Sequence, residues 1–72
     1  MNTLQRIVVF RSDFSDQEKQ LALLREHGAQ IIRVLRIING VAVQLAADKE
    51  AFLNRAPEIV RIDTDEHIVE AL

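Results

Sequence analysis

Three side chains near the C-terminus share a spacing that could do chemistry. Asp63, Asp65 and His67 stand at i, i+2 and i+4, so an extended segment would project all three to one side. Two carboxylates and an imidazole can take up a divalent cation. No fourth ligand is evident and the chain contains no cysteine, so a solvated acidic tail is the preferred reading and no metal or other cofactor is expected. Nucleophilic catalysis needs a Ser or Thr beside a base and an orienting acid. The second histidine, His27, precedes Gly28 at a predicted helix end, where an imidazolium would meet the helix dipole. Ser12 and Ser15 read as loop and cap residues outside any G-x-S-x-G elbow. The two glycines, Gly28 and Gly40, are isolated and cannot form a phosphate cradle. The chain is therefore expected not to be an enzyme.

The elements that must position these residues follow from periodicity. Arg6 to Phe10 carries Ile7, Val8, Val9 and Phe10 without polar alternation, which predicts a strand apolar on both faces and central in a sheet. Ser15-Asp16-Gln17-Glu18 matches the S-x-x-E capping box, with Ser15 as cap. A helix is predicted over 16–27, with Leu21, Leu24 and Ala22 or Leu23 as its apolar stripe and Gly28 in the left-handed turn that ends it. Gln30 to Ile38 predicts a second strand. Asn39-Gly40 predicts a type I′ hairpin turn, and Val41 to Leu45 a third strand with Val41, Val43 and Leu45 on one face and Ala42 and Gln44 on the other. Asp48 is expected to cap a short helix through Phe52 and Leu53 that Pro57 stops, with Phe52 in the core. Ile59, Val60 and Ile62 form the fourth strand, before a tail covering about 64–72.

This order, β-α-β-β-α-β, predicts an α+β ferredoxin-like plait: a four-stranded antiparallel sheet with two helices on one face. The crossover rule makes the first and last strands of each half parallel, with one strand between them. The other sheet face is left uncovered and partly apolar, as a surface awaiting a partner is.

Length and charge narrow the possibilities further. Seventy-two residues suffice for one small domain, 1–72, and the 49% hydrophobic, 28% charged balance is that of a folded chain. Nine Lys+Arg against eleven Asp+Glu give a net charge of −2, which is no footprint for nucleic acid. Of the aromatics, Phe10 alone falls on a central strand where a base could stack, so RNA binding is not expected. The apolar runs are too short to cross a bilayer and the N-terminus lacks the pattern of a secretory signal, so a cytoplasmic location and no membrane partner are expected. A trimmed secreted domain would look the same.

Taken in order, Arg6-Ile7-Val8-Val9-Phe10, the Ser15-Asp16 helix start, Asn39-Gly40-Val41-Ala42-Val43-Gln44-Leu45, and Ala56-Pro57-Glu58-Ile59-Val60 leading to Ile62-Asp63-Thr64-Asp65 resemble the subtilisin propeptide, or peptidase inhibitor family nine. The resemblance covers residues 5–72. It implies a plait that assists folding of an attached subtilisin domain or, when free, inhibits subtilisin-like serine proteases in trans. It further implies that the open sheet face packs on two protease helices, whose N-termini Asp63 and Asp65 cap. Val69, Glu70, Ala71 and Leu72 would lie in the cleft as the product side of a cleaved substrate, Leu72 in the primary specificity pocket and Val69 in the apolar pocket upstream. Asp63 stands where the family more often has Glu, and one more residue follows Asp65 than is common, so the tail must bulge or shift register. Without a protease partner such a chain is expected to be monomeric. The alternative is a regulatory or assembly module that oligomerises through the open face.

Overall fold

A computed structural model describes residues 3–64 of the chain. Its elements are β1 (Thr3–Phe10), α1 (Gln17–Glu26), β2 (Gln30–Leu35), a 3-10 turn (Arg36–Ile38), β3 (Gly40–Ala46), α2 (Ala47–Asn54) and β4 (Ile59–Thr64). The four strands form one sheet in the order β2-β3-β1-β4, with every neighbouring pair antiparallel. It follows that β1 runs parallel to β2 across β3, and β3 parallel to β4 across β1, as the crossover rule requires. The strand that is apolar on both faces, β1, lies inside the sheet. It begins at Thr3 rather than Arg6 because Leu4 joins the core and Thr3 pairs with Ala46.

Alternation along the strands divides the apolar residues between two faces. Val8, Val41, Val43 and Leu45 pack with Leu24 of α1 and Leu53 of α2 in one buried cluster, which Leu4, Phe14, Ile31 and Ile62 extend. Ile7, Val9 and Ala42 form a smaller cluster on the other face, with Leu35 against it. The expected division of β3, with Ala42 opposite Val41, Val43 and Leu45, is found. Phe10 is buried in the helix-side cluster and its ring lies 5.5 Å from that of Phe14, so the one candidate for base stacking is inside the protein.

Local structure departs from expectation at four points. The N-cap of α1 is Asp16, whose carboxylate accepts from the Glu18 backbone N–H at 3.0 Å. Ser15 lies outside the helix and closes no capping box, because a carboxylate one residue later gives the helix both its acceptor and a favourable charge. The far end is as predicted: Gly28 adopts φ +76°, the Ala29 N–H donates to Leu24 O and the Gly28 N–H to Arg25 O, a Schellman closure. In α2 the cap position is Ala46, which has no side chain to offer, and Asp48 sits within the first turn. Strand β3 runs directly into this helix, so its last residue takes the cap position. Phe52 is 59% exposed while Leu53 is fully buried; an eight-residue helix turns only a narrow face to the sheet, and Leu53 occupies it.

The fourth departure is the β2–β3 connection. The predicted two-residue hairpin is replaced by the 3-10 turn Arg36–Ile38, which ends on Asn39 in the left-handed region, φ 54°. Of the Asn39-Gly40 pair, Asn39 alone takes positive φ. Gly40 is required for a different reason: a Cβ there would stand 2.8 Å from the Val8 carbonyl oxygen, so the glycine permits close approach of β3 to β1.

Each edge strand carries an irregularity. Register shifts occur between Ile31 and Arg33 in β2 and opposite Val9/Phe10 in β4, and the residues skipped, Ile32 and Val60, are 48% and 57% exposed. Such bulges interrupt the rows of free backbone groups that would otherwise template edge-to-edge pairing.

Candidate functional site

The sheet face opposite the helices is covered by no described element. Its centre is Ile7, Val9 and Ala42, which are 7%, 7% and 1% exposed. Pairing places Arg33 beside Ala42, Arg61 beside Val9, Asp63 beside Ile7 and Gln5 beside Gln44, so a polar rim surrounds an apolar middle. On this rim Arg61 Nε donates to Asp63 Oδ2 at 2.8 Å, and Gln44 Nε2 donates to Thr3 Oγ1 at 3.1 Å. Both ion-pair partners are largely exposed, and such pairs contribute little to stability. They are therefore free to exchange for other partners at small cost.

Asp63, a residue singled out in the sequence, lies on this face near the end of β4. Its expected companion Asp65 and the tail residues Val69, Glu70, Ala71 and Leu72 lie outside the described residues, as does His67 of the Asp63, Asp65, His67 constellation. Among the described residues no three His, Asp or Glu side chains come together. His27 Nδ1 is 2.9 Å from the Leu23 carbonyl oxygen; the geometry makes that nitrogen the donor and ties the ring to the end of its own helix. Among the described residues, no helix is long and apolar enough to cross a membrane.

Two features of this region went unread in the sequence. The first is a polar network under the β2–β3 turn. Gln20, only 3% exposed, donates through Nε2 to Phe14 O at 2.7 Å and to Asn39 Oδ1 at 2.9 Å. Asn39 Nδ2 in turn donates to Arg11 O at 2.8 Å and Phe10 O at 3.3 Å, while the Phe10 N–H donates to Asn39 O at 3.0 Å. The signal was available: Gln20 precedes Leu24 by four residues and so shares its buried face. The second is the turn itself, which presents Ile37 fully exposed and Ile38 41% exposed. With Ile7, Val34, Leu35 and Arg36 they line an apolar groove of about 460 Å³. Treating 30–38 as a single strand concealed it.

Neither protein-family models nor curated proteins give a match to this sequence.

Proposed function

We propose that this chain is a non-enzymatic inhibitor of subtilisin-like serine proteases built on a ferredoxin-like plait. The observation that carries the reading is the sheet face free of helices, where exchangeable polar groups surround a small apolar cluster of Ile7, Val9 and Ala42 that is itself only 1–7% exposed, with Leu35 partly exposed beside it. A small apolar centre that opens when its polar rim exchanges partners suits a protein interface. The resemblance to the subtilisin propeptide names the partner, and the position of Asp63 on that face suits a carboxylate directed at a helix N-terminus. In this role Asp63 leaves Arg61 and accepts from the partner's backbone N–H groups, Asp65 does the same for the second helix, and Val69 to Leu72 add a strand in the cleft. The tail inhibits because it presents the product side of a cleaved bond.

Gel filtration with a catalytically inactive subtilisin tests the reading. Co-elution is expected, and Asp63→Ala should weaken the complex by about tenfold, the upper range for a carboxylate at a helix N-terminus. Independent elution of the two proteins would dismiss the partner. Sedimentation of the free chain separates the alternative: a monomer leaves the face available, whereas a stable homodimer across it makes the chain an assembly module.

A further inference from the structure

The groove at the β2–β3 turn differs chemically from the rest of the surface. Arg36 lines it, and Arg33 projects from β2 on the same side of the sheet. The stretch from His27 to Ala47 holds these two arginines and no acidic residue, in a chain that is acidic overall. Among the described residues three ion pairs form, Arg6–Glu50, Arg11–Asp13 and Arg61–Asp63, and neither Arg33 nor Arg36 belongs to one. The groove is thus apolar at its floor and positive at its edge. Its fully exposed Ile37 sits on a turn that the Asn39 hydrogen bonds hold in place, so presenting that side chain loses little freedom on binding. The complementary ligand is an extended peptide that is both acidic and apolar.

The chain contains one such segment. Asp65-Glu66-His67-Ile68-Val69-Glu70-Ala71-Leu72 carries three acidic side chains, three large aliphatic ones and no Lys or Arg. We propose that this groove is the docking site for the chain's own C-terminal segment, with Leu72 on the isoleucine floor and the Glu70 carboxylate beside Arg33 and Arg36. The reach is sufficient. Thr64 pairs with Arg6, whereas Leu35 stands level with Val9 through Gly40. From β4 to β2 is three strand spacings, about 14 Å, and the offset along the strands is about 10 Å, so the straight path is about 17 Å. Eight extended residues span about 26 Å, which leaves room for the reversal that the path demands. Contact ion pairs at an exposed edge are weak and screened by salt, so the docked state is reversible. The inference does not depend on a protease partner. If the chain is an inhibitor, docking holds the tail against its own domain until a cleft competes for it.

Because the chain has no cysteine, a nitroxide can be placed by a single substitution, Ala71→Cys, in the full-length protein. Backbone amide signals of Leu35 to Ile38 should then lose most of their intensity, independently of protein concentration. The intensity should return in high salt, in the Arg33→Gln/Arg36→Gln variant and in Ile37→Asp. Those three side chains are exposed, so the fold is retained, and the core amide spectrum verifies it. Full intensity at Leu35 to Ile38 in the labelled protein would overturn the proposal. So would broadening that disappears on dilution, because it would assign the contact to a second copy.

Discussion

At Asn39 a single residue meets two demands at once, a left-handed backbone and a bridge between Gln20 and the carbonyls of Phe10 and Arg11. Asn39→Gly should keep the first and lose the second, while Asn39→Ala loses both. We expect Ala to cost about 2–4 kcal/mol and Gly about half of that in urea unfolding. Equal losses would mean that the backbone conformation does not matter there. At the next position, Gly40→Ala pushes a methyl onto Val8 O and should cost about 1–3 kcal/mol, as overpacking does. The Asn39-Gly40 pair was visible in the sequence as a turn. The division of labour within it was not, because positive φ suits both residues, and only the approach of β1 decides which one must lack a Cβ. Asp63 shows the opposite case: its place on the uncovered face follows from alternation, but its Arg61 partner depends on side chains two residues apart along one strand, a pairing that pattern alone does not select.

Among the elements, the strands and both helices were legible because their signals are redundant: β-branched runs in β1 and β3, helical spacing plus Gly28 in α1. Helix starts were not, since several neighbouring residues can each supply an acceptor. The structure makes this testable. Asp16→Ala should cost about 1 kcal/mol through loss of the bond to the Glu18 N–H, and Ser15→Ala should be close to neutral; thermal unfolding distinguishes them, and the reverse ranking would restore Ser15 as cap. The second helix holds by less. One fully buried leucine, Leu53, and the pair between Arg6 Nε and Glu50 Oε2 at 2.7 Å join it to the sheet. Leu53→Ala is expected to cost about 2–5 kcal/mol, enough to unfold a domain of this size. Supplying the missing cap with Ala46→Ser should raise stability by about 0.5–1 kcal/mol, read as a higher urea midpoint.

Over the whole molecule, a layer of two helices covers one face of a four-stranded sheet and leaves the other with an apolar centre. This asymmetry was predictable from β1 alone, whose apolar residues point both ways. The exposed turn at Ile37 and Ile38 was not, because a strand and a 3-10 turn draw on the same β-branched residues. The turn points outward from the domain, and binding a partner there would stabilise a small fold that has no disulfide to reinforce it. The central claim is that the face and the tail together block a subtilisin-like protease. It is tested most directly by subtilisin hydrolysing a small chromogenic peptide in the presence of the full chain or of the chain lacking Val69 to Leu72. The account predicts that the full chain slows hydrolysis in a dose-dependent way and that the shortened chain loses most of this effect. Unchanged hydrolysis at micromolar full-length protein, or equal inhibition by the two forms, would contradict it.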